Sequence, residues 1–198
     1  MLTDNQMQDN RNAVISLLES TGRKGIESVI NHLVDGGFFN VPASIHHHNN
    51  FEGGLAKHSL EVYHEAMNLY ESFTTKIPFL GTVIDSNSII LCALLHDVCK
   101  MDVFYMRNGK PQGTGVPNNP HGKKSVRLLL EWGLELFEDE QLTIAWHMGR
   151  WTKDGDCKIE EVESRFLEVQ KTTPLASFIR RADSLASSKA IEEQINDE

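Results

Sequence analysis

The sequence predicts an all-α fold, and three observations carry that expectation. Apolar residues recur at helical spacing in separate stretches, most clearly over 55–73 and 174–188. Residues 89–95 form an unbroken apolar run, as expected of a helix buried on most sides. Strand signals are weak along the whole chain, and no internal repeat or low-complexity linker interrupts it.

Taken in order, residues 5–20 and 23–35 read as two amphipathic helices, the second ended by Gly36 and Gly37. Residues 37–54 read as a loop that closes on Gly53 and Gly54. A helix is predicted over 55–73, with Leu55, Val62, Ala66, Leu69 and Phe73 as its apolar stripe. His58 falls in the gap of that stripe and is expected to point inward. The next helix is predicted over 87–100, capped by Ser86 or Ser88. Residues 101–120 form a loop rich in glycine and proline, with a short hairpin allowed around Asn108-Gly109. Helices are predicted at 121–136 and 140–150, and 152–172 is ambiguous between loop and short helix. Thr173-Pro174 starts a final helix reaching about residue 188, with Leu175, Ile179, Ala182 and Ala186 facing the core. This divides the chain into an N-terminal helical extension (1–36), a main domain (37–190) and a frayed tail (191–198).

Composition narrows the function. The 198 residues are 40% hydrophobic and 24% charged, an ordinary globular balance. A formal net charge of −9 argues against an unaided non-specific grip on nucleic-acid backbone, so nucleic acid is at most a weak partner. A small phosphate-bearing substrate remains compatible, because a bound divalent metal supplies positive charge locally. No apolar run approaches the roughly 20 residues of a membrane helix. Residues 1–10 are polar and lack an apolar signal core. Cys92, Cys99 and Cys157 form no C-x-x-C pair, and a cytoplasmic protein with reduced thiols is expected. The oligomeric state is left open.

The chemistry concentrates at His96-Asp97, which ends the most apolar helix. An unpaired carboxylate there would carry a large desolvation penalty. A basic partner, hydrogen bonds or a metal must offset it. His58 and Asp183 lie on or beside inward stripes of two other helices. Each of these residues could be satisfied separately in the core. As a set, two imidazoles and two carboxylates make a plausible coordination sphere for a divalent metal.

Three segments make the pattern more specific: Gly-Gly-Leu-Ala-Lys-His-Ser-Leu (53–60), Ala-Leu-Leu-His-Asp-Val-Cys-Lys (93–100) and Arg-Ala-Asp-Ser-Leu-Ala-Ser (181–187). In order and spacing they resemble the HD-domain superfamily of metal-dependent phosphohydrolases, over roughly residues 40–188. The resemblance implies an all-α bundle around a buried metal, with His58, His96, Asp97 and Asp183 as ligands. Pro120-His121 and Ala145-Trp-His147-Met-Gly149 are similar to a subgroup with additional histidines. That subgroup includes stand-alone proteins of bacteria and phages and the HD module of bacterial 3′–5′ exoribonucleases. It implies His121 and His147 either as ligands of a second ion or as donors to substrate phosphate. The stretch from Pro42 through His48 to Gly54 looks like the same subgroup's access loop. Cys99 stands where the family most often has glycine before the motif lysine, so the helix end is expected to be shaped differently.

The expected reaction is hydrolysis of a phosphomonoester or phosphodiester in a nucleotide or nucleic-acid-related substrate, using metal-activated water. One or two divalent ions are implied, from Mn, Fe, Ni, Co, Mg or Zn. Asp97, Lys100, His121 and His147 are the candidate catalytic groups. His48 is weighed evenly between the pocket and solvent, and His46, His47, His32 and His64 are read as surface histidines. Arg107, Lys110, Lys123, Lys124 and Arg150 could guide phosphate but are read singly as solvated charges. Three alternatives stand: a di-iron oxygenase on the same fold, a non-catalytic nucleotide-binding or sensor module, and a nuclease acting on RNA or DNA ends.

Overall fold

The most extensive packing runs between helix α3 (Gly54–Lys76) and two partners, α5 (Ser86–Leu95) and α9 (Pro174–Asn196). The structure is a computed structural model describing residues 1–117, 120–149 and 158–196. Helix α3 buries Leu55, Ala56, His58, Leu60, Val62 and Ala66. Every residue of α5 from Ser88 to Leu95 is buried, as its continuous apolar run requires. On α9, Leu175, Ile179, Ala182 and Ala186 form the inward stripe. The fold is all-α, with one two-stranded hairpin.

Helices α1 (Asp4–Ser20) and α2 (Ile26–Asp35) send Val14, Leu18, Val29, Ile30 and Leu33 into that same core. Helix α1 starts in a capping box in which Thr3 accepts from the Gln6 backbone and Gln6 accepts from the Thr3 N–H at 2.8 Å. A buried ion pair ties these helices to the rest. Arg23 reaches Glu140 on α7 (Glu138–Trp146) through two bonds of 2.6 and 2.8 Å. Glu140 is fully buried and also accepts from Ser88 Oγ at 2.7 Å and the Phe137 N–H at 2.8 Å.

Several predicted boundaries are corrected. The helix predicted over 87–100 stops at Leu95 and is capped by the Asp85 side chain rather than by Ser86 or Ser88. Asp97 adopts φ −108° and ψ 13°, outside helical geometry, and a 3₁₀ turn (Val98–Asp102) follows. Cys99 is not in the left-handed region, so this turn needs no glycine there. The helix predicted to reach 136 is α6 (His121–Glu131). Gly133 ends it at φ 84°, with Leu134 donating to Leu129 O and Gly133 to Leu130 O, both at 3.0 Å, a Schellman closure. The ambiguous stretch contains α8 (Ile159–Thr172), and α9 continues to Asn196 rather than ending near 188. Phe73, expected in the α3 stripe, is 43% exposed. Helix α4 (Leu80–Val83) is a single turn.

The expected hairpin is present. Strands β1 (Phe104–Arg107) and β2 (Lys110–Gly113) pair antiparallel, with Asn108 and Gly109 at φ 52° and 71° in the turn. Among the described residues, no helix is long and apolar enough to cross a membrane.

Candidate metal centre

Five chain segments deliver six side chains to one buried point. His58 comes from the second turn of α3, and His96 and Asp97 from the end of α5. His121 opens α6, His147 caps the C-terminus of α7, and Asp183 lies on α9. Helix ends recur because a side chain there can leave the helix face and still be fixed by the last backbone turn.

Asp97 is the hub. Its Oδ2 lies 3.3 Å from His96 Nε2, 3.8 Å from His58 Nε2 and 2.6 Å from Lys100 Nζ. Its Oδ1 lies 3.3 Å from His121 Nε2 and 3.4 Å from His147 Nε2. Asp183 Oδ1 stands 3.3 Å from His58 Nε2. His121 and His147 face each other with Nε2 atoms 3.2 Å apart. The cluster contains three overlapping sets of closely spaced donors: His58, His96 and Asp97; His96, His147 and Asp183; Asp97, His121 and His147.

Hydrogen bonding fixes the chemical character of two of the rings. His96 Nδ1 is 2.9 Å from Ala93 O, and His147 Nδ1 is 2.7 Å from Ile144 O. A carbonyl oxygen only accepts, so each Nδ1 carries a proton and each ring turns its Nε2 inward. Both Nε2 atoms face an oxygen of Asp97, at 3.3 Å from His96 and 3.4 Å from His147. His96 Nε2 and Asp97 Oδ1 are buried without a hydrogen-bond partner among the described residues. Nitrogen and oxygen donors converging out of water are suited to hold a cation between them. The donor set fits a divalent metal, and the carbonyl contacts supply the orienting bonds that metal-binding imidazoles use.

Electrostatics agree with this. Burial alone would raise the Asp97 pKa, but the neighbouring Lys100, His96, His121 and His147 outweigh it and hold the carboxyl well below the usual range. Burial likewise opposes ionisation of Asp183, and His58 and His96 reverse the balance. For His96 burial pushes downward, yet Asp97 prevails and the net shift is upward. His121 is pushed down to about 3, chiefly by burial, with His147, Lys100 and His96 adding to it against Asp97. It is a neutral imidazole near pH 7.

Two further contacts hold the α6 end of the site. Cys99 Sγ lies 3.2 Å from His121 O, and the Cys99 N–H donates to Ser125 Oγ at 3.3 Å. Gly122 sits so close to α7 that a Cβ would meet Ile144 O at 2.5 Å. The α6–α7 approach, and with it the His121–His147 pairing, depends on that missing side chain.

A cavity of about 500 Å³ opens on the cluster. His48, His58, Asp97, Lys100, His121, His147 and Asp183 form its polar floor. Ile45, Phe104, Met148 and Ile191 supply apolar wall. The walls come from distant parts of the chain and sequence reasoning did not find them. Glu140 was also missed, because its partner Arg23 is 117 positions away. His46 and His47 are exposed although both border the cavity. His64 is exposed, and His32 is exposed and stacks on Trp132 at 4.7 Å. None of Arg107, Lys110, Lys123 and Lys124 lines this cavity. Lys123 lies over the Trp146 ring at 5.9 Å, and Lys124 bonds Pro117 O. Arg150 and Cys157 lie outside the described residues.

Comparison with known proteins gives one finding. The family model for the HD domain matches residues 55–188, about two-thirds of the chain, and spans all six residues of the cluster. No curated protein and no solved structure matches the chain. With the all-α architecture, the histidine–aspartate cluster and the extent of this match, the chain belongs to the HD domain family, a superfamily of metal-dependent hydrolases.

Proposed function

We propose that this chain is a phosphohydrolase that uses two divalent ions to cleave a phosphoester bond in a nucleotide-related substrate. The observation that carries the reading is the division of labour at Asp97. One of its oxygens faces His58 and His96, and the other faces His121 and His147. A carboxylate flanked on both oxygens by imidazole pairs could serve one cation on each side. His58, His96, Asp97 and Asp183 would hold one ion, and Asp97, His121 and His147 the other. The nitrogen-rich set favours Fe, Mn, Co, Ni or Zn over Mg, which prefers all-oxygen shells. When bound, such ions make hydroxide available near neutral pH and neutralise charge on the phosphoryl group.

The remaining work falls to the chain. Lys100 Nζ is buried beside Asp97 and borders the cavity, where its charge can meet a non-bridging phosphoryl oxygen. His96 and His147 are held in one tautomer by Ala93 O and Ile144 O, so their orientation needs no reorganisation during reaction. Phe104, Ile45, Met148 and Ile191 offer an apolar wall on which the flat face of a nucleobase can rest while water is excluded. Lys100 is the only lysine or arginine among the described residues lining the cavity.

The test is a phosphate-release screen on protein loaded separately with each metal. Nucleoside monophosphates, cyclic nucleotides and aryl mono- and diesters would be compared. Release from at least one class, abolished by chelation and restored by metal, is expected. Metal-replete protein that hydrolyses none of them would overturn the reading.

A further inference from the structure

His48 lies outside the six-residue cluster and outside every closely spaced donor set within it. Its loop is nevertheless built with care. The Ala43 N–H donates to Asn49 O at 3.0 Å and closes the turn. Ser44 Oγ accepts from the His47 N–H at 3.0 Å and donates to His48 O at 2.9 Å. Asn49 takes the left-handed conformation at φ 50°, is 1% exposed, and donates from Nδ2 to Glu61 on α3 at 2.7 Å. A Cβ at Gly54 would strike Asn49 O at 2.0 Å, so the loop is seated directly on the start of α3.

This seating puts the His48 ring over His58, with ring centroids 4.6 Å apart. His48 borders the same cavity as Lys100 and Asp183. Its Nε2 is buried and has no hydrogen-bond partner among the described residues. A polar nitrogen held out of water without a partner costs free energy. A loop pinned at four points does not relieve that cost by swinging outward. The cavity that His48 borders is where such a partner can be supplied.

We propose that His48 is a substrate-contact residue whose Nε2 hydrogen-bonds an oxygen of the phosphate group held at the metal centre. It would act from the loop side, whereas His121 and His147 come from α6 and α7. The inference rests on the phosphohydrolase reading above and adds a residue to it.

The experiment uses the full chain loaded with Mn²⁺ and three variants: His48→Ala, His48→Phe and His48→Gln. Metal per chain is measured by elemental analysis, and binding of inorganic phosphate by calorimetry. His48→Phe keeps a ring over His58 but removes both nitrogens, and His48→Gln restores an N–H near the Nε2 position. The expected result is unchanged metal content in all three. Phosphate binding should weaken about ten- to hundredfold in His48→Ala and His48→Phe, the loss expected for one hydrogen bond to a charged group, with partial recovery in His48→Gln. Phosphate affinity kept by His48→Phe would reduce the role to stacking and overturn the proposal. A loss of metal in His48→Ala with unchanged affinity per loaded site would make His48 a ligand and also overturn it. If wild-type protein binds metal but no phosphate, the phosphohydrolase reading itself fails. That result is distinct from wild type and His48→Phe binding phosphate equally.

Discussion

Replacing Gly122 by alanine tests whether the α6–α7 contact sets the geometry of the centre. The added Cβ would lie 2.5 Å from Ile144 O and 2.8 Å from Ala145 O, against 3.4 Å for ordinary contact, a shortfall of about 0.9 Å. Both obstacles are backbone atoms of α7, so no side chain can rotate away. The two helices must separate by most of that shortfall. Gly122 follows His121 directly, and Ile144 O is the atom that orients His147. The shift therefore falls on the pair whose Nε2 atoms stand 3.2 Å apart. Overpacking of this kind costs about 1–3 kcal/mol, offset by up to roughly 1 kcal/mol of better helix propensity for alanine. A net cost near 1–2 kcal/mol lowers Tm by roughly 2–8 °C in a chain of this size. The functional loss should be larger, because a misplacement near 1 Å costs about a hundredfold in rate. The assays are thermal melting, metal content and phosphate release on one preparation. A variant that melts within a degree of wild type and keeps full metal content and rate would refute the argument.

Three further outcomes follow from the same geometry. Glu140→Ala leaves the Arg23 guanidinium buried without its carboxylate and should cost about 3–5 kcal/mol in denaturant unfolding, while the folded fraction keeps its metal; a loss below 1 kcal/mol would contradict the role given to that pair. Lys100→Met should retain metal yet lose about 10²–10³ in kcat, as for removal of one electrostatic stabiliser; loss of metal instead would show that Lys100 acts by holding Asp97. Metal-free protein should lose stability on acidification from pH 7 to 5. His121 and His48 are each held down to about 3, chiefly by burial, so between that value and the unfolded histidine value near 6.5 the unfolded chain binds more protons. Their contribution is complete above about 6.5 and is lost as pH falls. Asp97 and Asp183, both depressed, act in the same direction at lower pH, and His96, shifted upward, opposes them by losing its contribution as pH rises. Melts in chelator at pH 5, 6 and 7 check this, and a Tm that climbs toward pH 5 would contradict it.

Much of the fold was legible because burial imposes periodicity. Leu175, Ile179, Ala182 and Ala186 had to share a face, and Asp183 beside them had to lie near the core. The Asn108-Gly109 turn was legible for a local reason, since two consecutive positive φ angles suit those residues. The break at Asp97 was not. The 89–95 run gives no reason to stop, and the departure from helical geometry accompanies the placing of Asp97 against His96 and three histidines from other helices. The end of α6 was legible in principle, because Gly133 is a left-handed stop followed by Leu134, and the apolar pattern through Leu136 masked it. Within the centre, the sequence pattern together with the family resemblance pointed to the six residues that the structure brings together. It left the second oxygen of Asp97, the cavity walls and His48 undetermined, because these depend on how distant segments meet.

The most direct test is elemental analysis of metal per chain in tag-free wild type and in the His121→Ala/His147→Ala double variant, both reconstituted with the same metal. The account predicts close to two ions in wild type and close to one in the variant, with His58, His96, Asp97 and Asp183 holding the ion that remains. One ion in both would contradict the two-ion reading proposed for Asp97, and none in either would contradict the metal centre itself.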